Sequence, residues 1–191
     1  MSEEQFTIFG NKYRMGTYIL LIQVSKPFQL AFGRFQNGAL IRIPDGDYLY
    51  IGSALGREKS GSSLAMRLIR HTSRSSSKAP HQIRATLLKC FSENEFTENS
   101  AKATPAKKLR WHIDYFLDQT ETEITHIVMV RSPIKLEQKL AELLQSTNLT
   151  SLLAPRLGAG DNRNSTHLLK ITDQKLILEL LRQYIPNINL S

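Results

Sequence analysis

One stretch constrains the fold more than any other: Asp47-Tyr48-Leu49-Tyr50-Ile51-Gly52-Ser53-Ala54-Leu55-Gly56, followed at once by Ser63-Leu64-Ala65-Met66-Arg67-Leu68-Ile69-Arg70-His71. Its first half alternates aromatic and aliphatic residues and closes in small ones. That pattern predicts a strand running into a turn. Tyr48, Tyr50 and Gly52 then share one face, and Leu49 and Ile51 the other. The second half has helical spacing, with Ser62 or Ser63 as its cap. Arg67 and His71 are four apart, so they stack on one helical face beside the apolar stripe of Leu64, Leu68 and Ile69.

The flanking chain supplies the partners such a strand needs. Gly16-Thr17-Tyr18 opens the apolar run Ile19-Leu20-Leu21-Ile22, a strand over 16–24 that is apolar on both faces and therefore central. Phe28 to Phe35 and Ala39 to Ile43 form two further expected strands around the Asn37-Gly38 turn. Later come a helix over 108–117, a strand over 124–130, and a helix from Ser132-Pro133 to about Gln145. That helix has a cap followed by Pro, with Leu136, Leu140, Leu143 and Leu144 toward the core. A strand over 166–171 and a C-terminal helix over 174–184 complete the series. The mixture predicts an α+β fold: a small, mainly antiparallel central sheet flanked by helices. Residues 1–15 are expected as an arm, 16–171 as the domain, and 172–191 as a helix on the same domain. The segment 72–107 is expected as a flexible insert. It opens on the Ser-rich 73–78, has room for a short helix over 82–91, and ends in the apolar-poor 92–107.

Charge is unevenly placed. The net charge is +8, and from Arg57 to Arg110 twelve Lys or Arg face four Asp or Glu, while the remainder is balanced. The whole excess therefore follows the Tyr-Ile-Gly turn, which implies a polyanionic partner, nucleic acid above all. No apolar run is long enough to span a membrane, so no membrane partner is expected. Cys90 is the single cysteine, which excludes an internal disulfide and a Cys-rich zinc site. The first residues lack the pattern of a signal peptide, so a cytoplasmic location is expected.

Gly16-Thr17-Tyr18, Tyr50-Ile51-Gly52 and the Arg67-x-x-x-His71 helix together resemble the GIY-YIG nuclease superfamily. The wider wording, with Trp111-His112-Ile113-Asp114-Tyr115, resembles one uncharacterised branch of it, domain of unknown function 123. The resemblance covers roughly residues 16–171 and implies a GIY-YIG-like fold and metal-dependent phosphodiester hydrolysis, in DNA processing or repair. By that resemblance Tyr18 or Tyr50 activates water, Arg67 clamps the phosphate and His71 orients or exchanges a proton. Glu137 would hold one divalent cation, Mg²⁺ or Mn²⁺. A phenol with a pKa near 10 is a poor base unless a cation lowers it, a task for Arg67 and the metal. Arg70, Arg74, Lys78 and Arg84 are candidate nucleic-acid contacts, with DNA favoured over RNA. His112, Asp114 and His167 are secondary candidates. The superfamily often carries Asn shortly after the Pro that matches Pro155. Here Leu157-Gly158 follows instead, leaving Asn162 or Asn164 to serve.

Each of these residues also has a structural alternative. Strand tyrosines are commonly core residues, a basic helix face binds phosphate without catalysis, and a Glu in a first helical turn favours the helix dipole. The rival functions are therefore a noncatalytic nucleic-acid-binding module on the same fold and a protein-interaction domain using the insert. Convergence of Tyr18, Tyr50, Arg67 and Glu137 discriminates among them.

Overall fold

The computed structural model describes residues 4–56, 63–94, 96, 107–155, 157 and 166–188. Described strands are β1 (Phe6–Phe9), β2 (Gly16–Val24), β3 (Phe28–Ala31), β4 (Leu40–Ile43), β5 (Gly46–Ala54), β6 (Thr122–Arg131), β7 (Thr150–Leu152) and β8 (Leu168–Ile171). Described α-helices are α1 (Leu64–His71), α2 (Ile83–Glu93), α3 (His112–Leu117), α4 (Glu137–Gln145) and α5 (Gln174–Tyr184). The class is α+β. Six strands form one sheet in the order β1-β6-β2-β5-β8-β7, and β3 and β4 form a separate hairpin. All pairs in the sheet are antiparallel except β1 with β6, so the sheet is mixed.

The sheet divides the interior into two cores because β2 and β5 are apolar on both faces. Tyr18, Leu20, Tyr48 and Tyr50 pack with residues of α1, α2 and α3. Ile19, Leu21, Leu49 and Ile51 pack with Leu136, Leu140 and Leu144 of α4 and its approach, and with Ile177 and Leu181 of α5. Alternation along a strand thus sends neighbouring residues into different layers. Full burial of such aliphatic side chains contributes roughly 1.5–3 kcal/mol each. Among the described residues, no helix is long and apolar enough to cross a membrane.

Several elements differ from the sequence reading. Residues 6–9, expected within an arm, form an edge strand parallel to β6. The strand expected from Phe28 to Phe35 ends at Ala31. A 3₁₀ turn over Phe35–Gly38 follows, with Gln36, Asn37 and Gly38 at φ 47°, 57° and 79°. Asn and Gly tolerate that left-handed geometry, so the turn signal stands within a longer loop. Helix α3 starts at His112, four residues later than 108. Helix α4 starts at Glu137 rather than near Pro133, because Ser132 Oγ accepts from Ile134 N at 3.1 Å and closes a local turn instead. Strand β7 was not foreseen. Of the segment 72–107, residue 95 and residues 97–106 lie outside the described residues. Its described part contains α2, whose Ile83, Leu87 and Phe91 are buried.

Candidate active site

Register brings the first two tyrosines together. Tyr18 of β2 is paired with Gly52 of β5, so its ring lies over a residue with no side chain. A Cβ at position 52 would sit 2.4 Å from the Tyr18 hydroxyl oxygen, which is why this position needs glycine. Tyr50 is the next residue on that face, with ring centroids 6.3 Å apart. Helix α1 is capped by Ser63, whose Oγ accepts from Met66 N, and its stripe of Leu64, Leu68 and Ile69 is buried against the same face. That seating carries His71 fully inside. His71 Nε2 lies 2.7 Å from Tyr18 Oη, and its ring centroid is 6.1 Å from that of Tyr50.

The electrostatics of the two groups run against the sequence expectation. Burial pushes the Tyr18 phenol well above its ordinary value. Tyr50 and the Glu137 carboxylate push the same way, and Arg67, lying against the hydroxyl, only partly offsets them. Burial likewise holds His71 well below 6.5, helped by Lys107, Arg67 and Arg70. Neither group titrates near neutrality in the folded protein. Tyr18 stays protonated and His71 stays neutral.

Asp114, in the first turn of α3, closes the back of this cluster and is wholly buried. Its Oδ2 accepts from Arg110 N at 2.9 Å, Trp111 N at 3.0 Å and Arg70 Nη2 at 2.7 Å. Its Oδ1 faces His71 Nδ1 at 3.9 Å and Lys107 Nζ at 4.0 Å. Trp111 gathers three guanidinium groups, with Arg67, Arg70 and Arg110 at 4.5, 4.9 and 5.5 Å from its ring centroid. The result is a cationic rim over a buried Tyr–His–Asp line.

Glu137 arrives from the other layer. Helix α4 packs on the face opposite the tyrosines, but Glu137 is its first residue and reaches the end of β5. Ser53 Oγ donates to Glu137 Oε2 at 2.5 Å, and His167 Nδ1 lies 2.8 Å from Oε1. Burial alone would raise this carboxyl. The contacts with His167 and Ser53 outweigh it and hold the pKa below the ordinary value, so the group is ionised. The Glu137 charge is nonetheless felt at the Tyr18 hydroxyl, whose pKa it raises. Tyr18, Tyr50, Arg67, His71 and Glu137 therefore gather at one end of the sheet, with His167 and Asp114 beside them. His112 does not join them. It packs edge-on against Phe35 of the hairpin loop at 5.0 Å.

The expected nucleic-acid contacts fare differently. Arg74 is withdrawn from the surface: its side chain is 5 % exposed and bonded to Ala79 O, Thr122 O and Glu123. Arg84 binds Ile69 O and Ser73 Oγ, and Lys78 binds Asp118. Arg70 is partly exposed but paired with Asp114. These cations hold the segment 72–94 to the domain. Arg110 was not singled out by the sequence, yet it stands exposed on the rim. Ser53 and Lys107 were also missed. The Trp111-to-Asp114 spacing did carry a signal, since an acid at the third helical residue can accept from the N-cap amide. Asn162 and Asn164 lie outside the described residues.

A family model described as domain of unknown function DUF123 matches residues 17–190. No curated protein and no solved structure matches the chain.

Proposed function

The chain belongs to the family of the domain of unknown function DUF123, a membership that assigns no activity, and from the site itself we propose a metal-dependent endonuclease of the GIY-YIG type that hydrolyses phosphodiester bonds in nucleic acid, DNA before RNA. The observation that carries this reading is the gathering of Tyr18, Tyr50, Arg67, His71 and Glu137 at one end of the sheet, with the Tyr18 hydroxyl 2.7 Å from His71 Nε2.

The residues fit a hard cation. Among the described residues no three His, Cys, Asp or Glu side chains gather into a metal cage. A single ionised carboxylate, steadied by Ser53 and His167, suits Mg²⁺ or Mn²⁺, which retain waters and take substrate oxygens. When bound, such a cation would supply Lewis-acid stabilisation of charge on the phosphate oxygens. The remaining work belongs to the chain. Arg67 and Arg110 bind phosphate from the rim. Although burial, Tyr50 and Glu137 hold Tyr18 protonated in the free protein, in this scheme it passes its proton to His71 Nε2 as it takes one from water, with Arg67 beside the hydroxyl. The hydroxide so formed attacks phosphorus, the P–O bond to the leaving oxygen breaks, and the proton held on His71 returns by way of Tyr18 to neutralise that oxygen. Tyr18, rather than Tyr50, is the base in this scheme because His71 offers it an acceptor.

Incubation with branched, duplex and single-stranded DNA and RNA, with Mg²⁺ or Mn²⁺ against a chelator, tests the reading. Cleavage that needs the cation and is lost in Glu137→Gln is the expected result. A second reading is a noncatalytic nucleic-acid-binding module. It is favoured by one observation: the Glu137 oxygens already have partners in Ser53 and His167. Salt-dependent binding with no cleavage of any substrate form would establish it instead.

A further inference from the structure

We propose that Asp114 is a positioning residue that keeps the His71 proton on Nδ1, so that Nε2 is an acceptor and Tyr18 a donor. The consequence for rate rests on the nuclease reading above; the tautomer itself does not.

The argument starts from a neutral imidazole, which has one N–H and one lone pair. Its two nitrogens face different neighbours here. Nε2 meets Tyr18 Oη at 2.7 Å. Nδ1 has no hydrogen-bond partner and faces Asp114 Oδ1 at 3.9 Å. Asp114 Oδ2 is saturated by three donors, whereas Oδ1 is buried and has no hydrogen bond of its own. Two buried polar atoms without hydrogen-bond partners, 3.9 Å apart, define the missing interaction. A proton on Nδ1 faces a carboxylate oxygen; a lone pair there would face negative charge. The reverse tautomer would also place an N–H against the Tyr18 oxygen and leave the buried phenol proton to find another acceptor. The other charged groups acting on the ring are the cations Lys107, Arg67 and Arg70, and its faces meet the rings of Tyr50 and Trp111. Lys107 Nζ also faces Oδ1, at 4.0 Å, but outside hydrogen-bond distance, and donates to Ser73 O at 2.8 Å.

The proton balance follows. As the Tyr18 O–H bond breaks and the Nε2–H bond forms, His71 becomes an imidazolium whose Nδ1–H bonds to Asp114 over a closure of about 1 Å. Asp114 takes no proton in this sequence, and Arg67 faces the tyrosine oxygen. The charge separation thus has a fixed partner at each end.

Nitrogen-15 NMR of the imidazole of His71 in the full chain near pH 7.5, assigned with His71→Gln, tests this directly. The expected spectrum has a protonated Nδ1 and an unprotonated Nε2. A proton on Nε2, or a charged ring, would overturn the proposal. Asp114→Asn is expected to move the ring toward the Nε2–H tautomer and to lower kcat roughly 10²–10⁴-fold on the DNA that the wild type cleaves, with KM within about threefold. Unchanged kcat would overturn the positioning role. Should that variant fail to fold, the wild-type spectrum alone decides. A wild type with the expected tautomer that cleaves nothing would refute the nuclease reading and leave the tautomer standing.

Discussion

Gly52 is where one absent methyl group keeps the site assembled. Its backbone is ordinary for a strand, so the requirement is space and not conformation: a Cβ would meet Tyr18 Oη at 2.4 Å and Cζ at 2.5 Å. The ring would have to swing off His71 or the strands would have to part. Gly52→Ala should therefore destabilise by ~1–3 kcal/mol in urea titration and remove the proposed nuclease activity together with the near-ultraviolet signal of the packed tyrosine. Full activity in a stable Gly52→Ala protein would show that the Tyr18–His71 contact is dispensable. The same contact predicts an unusual pH profile. A free imidazole accepts protons only above about pH 6.5, but His71 is held well below that value by burial and neighbouring cations. It remains an acceptor as pH falls through 6.5, so kcat should stay level there and decline only at clearly lower pH. An acid limb centred near 6.5 would count against His71 as the acceptor.

Among elements, the contrast lies between α1 and the segment after it. Helix α1 was legible because its signals are local: a Ser cap, an apolar stripe and Arg67 one turn before His71. The strands β2 and β5, and the helix α5, were legible for the same reason. The burial of His71 was not, since nothing in α1 says which layer will cover that face. Nor was the start of α4, where Ser132 forms a turn that competes with capping. The Ser-rich 73–78 reads as a loose linker because its anchors, Asp118 and Glu123, lie some forty residues onward. Those anchors split the basic residues into two kinds with opposite expected behaviour. Arg74→Ala removes a buried, multiply bonded guanidinium and leaves Thr122 O and Glu123 without it. A loss of ~2–4 kcal/mol is expected in thermal or urea unfolding. Arg110→Ala touches an exposed rim residue. It should change stability by less than about 0.5 kcal/mol while weakening nucleic-acid binding and reducing the salt slope by about one. Equal effects of the two substitutions on binding and on stability would erase this division.

At the scale of the whole molecule, the two-sided sheet places the cationic rim of Arg67, Arg70 and Arg110 in one layer and the helix that carries Glu137 in the other. Sequence alone yielded the parts of this site but not its sidedness, because a helix carries no local mark of the sheet face it will cover. The two-layer construction also encloses titratable rings, which fixes how the fold responds to acid. Burial lowers the pKa of His71, of His81 and of His126, the last to about 4, with Arg182 adding to the effect at His126. In the unfolded chain each returns to about 6.5. Below 6.5 the unfolded state binds protons that the folded state refuses, so stability falls as pH falls. The histidine contribution is complete above pH 6.5 and is lost progressively below it, in the case of His126 toward pH 4. Asp118, Glu121, Glu123 and Glu137 have lowered values too. Their contribution is complete above the ordinary carboxylate range and is lost only below it. Acid unfolding should thus begin with the histidines and finish with the carboxylates. His126, outside the site and bonded through Nε2 to Thr7 Oγ1 at 2.9 Å, isolates the first stage. His126→Gln keeps a hydrogen-bonding side chain but removes the titration. Urea unfolding across pH 7.5 to 4 should show wild-type stability falling from about pH 6.5 and a shallower fall in the variant. Identical slopes for the two proteins would mean that His126 is protonated in the folded chain at no cost, and that the layer around β1 and β6 admits water at that ring.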